Sequence, residues 1–284
     1  MNSQPRQRTS SGNYRLGRML ANAAMVAALM VVLAPLLWMI SASLLPDGGA
    51  TRVPPVFIPA NPTLEQYREL FSRMAFGRYF LNSLLVATSV TVGSVIVNSM
   101  AAFAFAKYRF AGRDKLFAAL LAILVVPGQV TMFPVFLLLN KMGLVNHFGG
   151  LIVPGLASVF AIFLFRQFMA SLPDSLIEAA RLDGCDDFTI YARIVMPLCL
   201  PIVVTLALFT FLGTWNDFLW PLILMTDSAR FTLPVALANL VGEHQSDTEL
   251  MMAGAVITIL PVMIVFLALQ RYYIQGITAG GVKE

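Results

Sequence analysis

Residues 173–201, PDSLIEAARLDGCDDFTIYARIVMPLCLP, combine charge, helix signals and a turn signal between two long hydrophobic runs. Asp174 or Ser175 is suited to cap a first helix, because a side-chain oxygen there satisfies a free backbone N–H, and Ser175 with Glu178 fits the S-x-x-E capping box. Gly184 supplies a turn that a residue with a Cβ resists. A second helix is expected from about Asp186 to Val195, stopping before Pro197. Two short helices at an angle make a rigid knob, and a knob between membrane spans is a place for a partner to dock.

The surroundings of this stretch are apolar. The chain of 284 residues is 58% hydrophobic and 12% charged, with a mean hydropathy of +0.77, which places it among integral membrane proteins. A bilayer core takes roughly 20 apolar residues per helix. Six windows of about that length occur, at 19–40, 80–106, 116–139, 151–168, 198–225 and 252–270. The expected fold is therefore all-α with six transmembrane helices and both termini on one side. Lys and Arg are retained on the cytoplasmic face, and with the N-terminus inside that face holds 13 of the 19 basic residues. The knob is then cytoplasmic. Topology accounts for the net charge of +4 without any nucleic acid. Cys185 and Cys199 would lie in or beside a reducing compartment and lack metal-ligand spacing, so neither a disulfide nor a metal site is expected.

Taken in order, residues 1–15 are polar and expected to form a disordered cytoplasmic tail, ahead of a membrane domain at 16–275. Thr63 opens a T-x-x-Q capping box, and Leu64, Tyr67, Leu70 and Phe71 follow at helical spacing, which predicts a short amphipathic helix on the outer side. In the second span Ser83, Ala87, Thr91, Ser94, Asn98 and Ala101 share one face. Such a stripe packs against another helix in lipid, or lines a path, with Asn98 as the pathway candidate. The third span contains VVPGQVTMFP, where Pro127, Gly128 and Pro134 predict a kink or partial unwinding. Gln129 sits at that break, either bonded to a neighbouring helix or lining a cavity. The fifth span holds FLGTWNDFLWPL. A carboxylate fully inside hydrocarbon costs roughly 2.5–3.5 kcal/mol, so Asp217 must meet water, a partner or the bundle interior, and Asn216 beside it joins the pathway candidates. Trp215 and Trp220 also suit an interfacial aromatic belt. The tail at 276–284 reads as too glycine-rich for a stable helix.

Catalytic apparatus is missing from the sequence. There is no G-x-x-x-x-G-K-[ST], H-E-x-x-H or G-x-S-x-G, and the only histidines are His147 and His244. The chain is not expected to hydrolyse nucleotide or to bind a cofactor itself. Broken helices and a lone carboxylate leave an ion-coupled secondary transporter as an alternative, although such a carrier gives no reason for a structured knob.

Glu178-Ala179-Ala180, three residues, Gly184, nine residues and Ile194-Val195-Met196-Pro197 resemble the EAA loop of the membrane subunits of binding-protein-dependent ABC importers, with Met196 where that loop has leucine. Residues 61–71, 127–146, 214–222 and 273–283 also look like the carbohydrate-uptake branch, on the side of the maltose-type second permease. The resemblance implies the transmembrane domain of a type I importer in the inner membrane, moving a sugar by alternating access. Its implied partners are a second permease in a heterodimer, a dimer of ABC ATPase subunits that use ATP and Mg²⁺, and an extracytoplasmic substrate-binding protein. By the same similarity the coupling loop covers 169–200. Glu178, Ala179, Ala180 and Gly184 would be its coupling residues, Asp183 a polar contact, and Ile194 and Pro197 the seat of the second helix. The tail containing Gly276, Gly280 and Lys283 would reach the ATPase interface.

Overall fold

A computed structural model describes residues 11–52, 56–73, 75–243 and 247–281, and these are helical or irregular with no strand among them. The helices in chain order are α1 (Ser11–Ala42), α2 (Glu65–Arg73), α3 (Phe76–Lys107), α4 (Arg113–Ile123), α5 (Gly128–Lys141), α6 (Phe148–Gly155), α7 (Val159–Ala170), α8 (Asp174–Leu182) and α9 (Asp187–Thr189). A π-helical segment (Ile190–Val195) follows, then α10 (Met196–Leu198), α11 (Leu200–Trp215), α12 (Leu219–Leu224), α13 (Leu233–Glu243) and α14 (Thr248–Gly281).

Four segments are long and apolar enough to cross a membrane: Gly17–Ala42, Phe76–Lys107, Phe148–Ala170 and Thr248–Gln270. Counting two bent helix pairs as one span each brings the number to six. The first pair, α4 and α5, turns by 102°. Pro127 stands immediately before α5 with extended backbone, which is where a residue without an N–H belongs. Pro134 lies inside α5 without ending it, so one of the two predicted breakers breaks.

Three boundaries differ from expectation. The helix α1 takes in residues 11–15, which were expected to be disordered, because extending a formed helix adds a hydrogen bond per residue; residues 1–10 lie outside the described residues. The second helix of the knob does not stop before Pro197 but runs on to Leu198, where the second bent pair turns by 81° into α11. Likewise α14 continues through the glycine-rich tail to Gly281. Each interior glycine costs only about 1 kcal/mol, less than the continuous ladder of a 34-residue helix supplies.

The chain divides into two compact units, one of Met1–Leu70 with Gln245–Val256 and one of Phe71–His244 with Ile257–Glu284. In the first, Thr63 Oγ1 accepts from the Glu65 N–H, so the predicted cap is half formed. Gln66 does not complete it: its amide donates to Asp47 at 2.6 Å. Tyr67 hydroxyl pairs with Ser43 at 2.7 Å, and the buried Glu249 carboxylate accepts from the Ala50 N–H at 2.6 Å.

In the second unit α3 is the central post, with α6, α7, α11 and α13 packed around it. Its small face carries out the packing that the stripe predicts, since Ser83, Ala87, Ser94 and Asn98 are buried. A Cβ on Gly93 would lie 2.4 Å from Leu156 Cδ2, and one on Gly155 would lie 2.7 Å from Val90 Cγ1, so glycine lets α3 and α6 approach. One core gathers Val86, Val90, Leu139, Leu151 and Leu224. A second gathers Phe103, Phe105, Phe117, Phe165 and Met169 together with Ile177, Ala180, Ile190, Tyr191 and Val195 of the knob.

Candidate functional site

The turn of the knob is a helix C-cap. Leu182 is the last helical residue and Asp183 the cap, Gly184 follows at φ 84°, the Gly184 N–H donates to Arg181 O and the Cys185 N–H to Ala180 O, both at 3.0 Å. These two bonds are the paired closure of a Schellman motif, which needs a left-handed residue after the cap. A Cβ on Gly184 would meet nothing within 4 Å, so its backbone angle demands glycine here and crowding does not.

Around that turn the sequence-derived coupling residues separate into two groups. Glu178, Ala179, Asp183 and Pro197 are exposed, whereas Ala180 is buried and Ile194 half-buried against the core. Ala180 therefore seats the knob on its own protein and cannot offer a surface to a partner, a correction to the reading that paired it with Ala179. Pro197 is likewise no seat. Ile190, Tyr191 and Val195 do that work, and Tyr191 hydroxyl bonds Ser99 Oγ of α3 at 2.7 Å. Two residues the reading overlooked crown the exposed side: Leu182 is 89% exposed and Phe188 is 64% exposed. Large apolar side chains in a polar loop were the available signal.

The expected capping box does not form, since no side chain caps α8. Asp174 instead accepts from Lys107 Nζ at 2.7 Å, and the same ammonium donates to Leu172 O at 2.7 Å. Lys107 side chain is 3% exposed and that of Asp174 76%, so a charge at the end of α3 holds the entry to the knob. A charge-assisted bond of this kind outcompetes a neutral cap. The Lys107 hydrogen bond and charge hold the Asp174 carboxyl below its ordinary 3.8. A lowered folded value means that the pairing is intact above the ordinary range and is lost as pH falls through the lowered one. From about pH 5 upward the clamp is expected to be insensitive to pH. Lys107→Met should instead accelerate amide hydrogen exchange over residues 171–182 roughly tenfold, as a local opening becomes easier; unchanged exchange would show that the clamp is ornamental.

A second site lies in the same unit. A cavity of about 480 Å³ is lined by Gly128, Gln129, Thr131, Met132 and Val135 of α5, Pro154 of α6, and Asp217, Leu219 and Trp220 around the start of α12. Gln129 and Asp217, 88 positions apart in the chain, are thus brought together. Asn216 is not among the lining residues: it is exposed and its amide donates back to Leu212 O at 2.9 Å. Asn98 is not there either. It is fully buried, its Nδ2 donating to Ser94 O, Ser94 Oγ and Leu156 O, while its Oδ1 accepts from the Ser158 N–H. Its amide fills the gap between α6 and α7, where the interrupted helix leaves backbone groups that lipid cannot satisfy. Asn98 is a brace, which corrects its assignment to the pathway. Trp215 is also no belt residue, being buried with Nε1 on Thr258 O at 3.1 Å and stacked on Phe211. Gly276 and Gly280 fall within α14, and Lys283 lies outside the described residues.

The family described as "Binding-protein-dependent transport system inner membrane component" matches over residues 98–279. The chain belongs to this family. The permease is 37% identical over 252 residues to an arabinooligosaccharides transport system permease protein of Halalkalibacterium halodurans, covering 88% of this chain and 90% of that one. It is 31% identical over 261 residues to an sn-glycerol-3-phosphate transport system permease protein of Salmonella typhi, covering 89% and 93%. The crystal structure of a bacterial ABC transporter involved in import of the acidic polysaccharide alginate superposes with a TM-score of 0.82 at 23% identity, covering 96% of this permease and all of that chain. The permease therefore has an importer's transmembrane fold and works in a binding-protein-dependent system, and the ion-coupled alternative has no support.

Proposed function

We propose that this chain is one of two different membrane subunits of an ABC importer for a sugar or oligosaccharide, lying in the inner membrane with both termini and the knob on the cytoplasmic side. A separate pair of ATPase subunits binds ATP and Mg²⁺ and hydrolyses the nucleotide, and an external binding protein delivers the cargo. The sugar assignment is supported by the likeness to the arabinooligosaccharide permease, the more similar of the two relatives described above.

The observation that carries the mechanism is the knob's construction. Its outer side presents Glu178, Ala179, Leu182 and Phe188 to a partner, while its inner side shares a core with α3 and α7. A partner surface that closes on the outer side cannot displace the knob alone, because a packed core moves as a body. It carries α3 and α7 with it, and α6, packed on α3 and lining the cavity, follows. Access to the cavity then alternates with the nucleotide cycle. In this reading Gly276, Gly280 and Lys283 extend toward the same ATPase.

Mild-detergent purification of the tagged permease tests the assembly. An ATPase subunit and a second permease should accompany it, and recovery of neither, with uptake driven by an ion gradient alone, would overturn the proposal. Leu182→Asp is expected to reduce recovery of the ATPase at least tenfold, as an apolar anchor at an interface is worth upward of about 1–2 kcal/mol, while the second permease remains bound.

A further inference from the structure

We propose that the cavity between α5 and the start of α12 is a subsite for one ring of an uncharged oligosaccharide and that it rejects anionic cargo. The inference rests on the importer reading above and narrows its substrate.

The lining carries the recognition chemistry of a sugar. A pyranose or furanose ring offers hydroxyl groups at its rim and an apolar C–H face. Trp220 supplies a flat aromatic surface for that face, and Met132, Val135, Pro154 and Leu219 make the remaining wall apolar. Three polar side chains converge on the same space. Asp217 is an acceptor able to take two hydroxyl protons, Gln129 both donates and accepts, and Thr131, whose hydroxyl proton goes to Gly128 O at 2.8 Å, keeps lone pairs free to accept. No hydrogen bond among the described residues occupies the Gln129 amide. The Asp217 carboxylate accepts from the Trp220 N–H at 3.3 Å and is also within reach of the Leu219 N–H, so the backbone at the start of α12 holds it at the cavity. A volume of about 480 Å³ falls within the range of roughly 300–1,000 Å³ in which small ligands are held, large enough for one ring with part of a second.

Charge decides the class. The lining contains a carboxylate and no lysine, arginine or histidine. Among the described residues Asp217 makes no ion pair. A phosphate or uronate entering here would meet a like charge with no basic side chain in the lining to offset it. The two relatives and the alginate importer carry cargoes described as neutral in one case and anionic in two, so fold alone does not choose between them; this cavity does.

The complete importer in lipid nanodiscs, without its binding protein, provides the test, using saturation-transfer NMR with arabinotriose, maltotriose and trigalacturonate as probes. At least one neutral trisaccharide should receive saturation at its ring protons, and trigalacturonate should bind at least tenfold more weakly. Asp217→Asn should bring trigalacturonate to within about threefold of the neutral probe, Gln129→Glu should widen the gap, and Trp220→Ala should remove the ring-proton signal. Trp220→Phe, which retains a ring, should keep most of it and shows that loss in the alanine variant is not misfolding. Equal binding of trigalacturonate and neutral probes to the unaltered complex would overturn the charge inference. Neutral probes bound identically by all the variants, in a complex that imports a neutral oligosaccharide with ATP and its binding protein, would overturn the cavity assignment and leave the importer reading standing. ATP-driven import confined to cargo that is not a sugar would instead overturn the sugar reading itself.

Discussion

Replacing Gly184 by valine is expected to abolish most ATP-driven uptake, by tenfold or more, while the assembled complex can still be purified. The residue sits at φ 84° with open space around its missing Cβ, so the penalty is one of backbone conformation. A left-handed residue with a Cβ is disfavoured by roughly 1–2 kcal/mol, and β-branching makes this worse. The strain is relieved by giving up the two C-cap bonds to Arg181 and Ala180, which fix the angle between α8 and the segment from α9 to α10. The knob then meets its partner with Leu182 and Phe188 misaligned. A graded series separates this cause from any other. Asparagine tolerates the left-handed region and should retain most activity, alanine should be intermediate, and valine lowest. The ratio of transported cargo to ATP hydrolysed in proteoliposomes is the readout. Equal ratios for glycine and valine would show that the turn angle plays no part in coupling.

Asn98→Leu is expected to lower the permease's resistance to unfolding by about 2–6 kcal/mol, since the Ser158 N–H and Leu156 C=O both lose their partner inside the protein and each such loss costs about 1–3 kcal/mol. Values near the lower end follow if the unfolded chain in the membrane finds other partners. Denaturation in mixed micelles measures the loss. Cargo affinity of the molecules that remain folded should not change, because Asn98 is fully buried. A large change in affinity without a change in stability would return Asn98 to the transport path.

Both residues illustrate what a single sequence reveals. The spans were legible because lipid demands long apolar helices. The Gly184 turn was legible because a helix pattern, a glycine and a second helix pattern follow one another directly in the sequence and obey local rules. The role of Asn98 was harder: a small-polar stripe identifies a packing face but does not say that a helix break on another span will seek the amide. Lys107 is the clearest omission. Its partner Asp174 is 67 positions away, and Asp174 already had an adequate local explanation as a helix cap. Long-range pairing displaced the local option. At the cavity, Gln129 and Asp217 each stood out as polar groups in an apolar run, but only the fold brings Trp220 and Thr131 to the same space and takes Asn216 away from it.

The π-helical segment at Ile190–Val195 has a consequence for how this permease tolerates change. A π turn holds about one residue more than an α turn, so the helix beyond it is out of phase by about 100° with the helix before it. Ile190 and Val195, five apart, both face inward, and Val195 and Cys199 then resume a spacing of four. The extra residue acts as a comma in the reading frame of the helix. Deleting one residue between 190 and 195 would let a regular α-helix form with Val195 and Cys199 still facing inward, four and eight positions after Ile190, whereas regularising the segment at its present length would rotate everything downstream by about 100°, carrying the exposed Leu198 toward the interior and Cys199 away from it. Substitutions here should be tolerated according to size, and a one-residue deletion should be tolerated better than a one-residue insertion, which would move Val195 and Cys199 off the buried face.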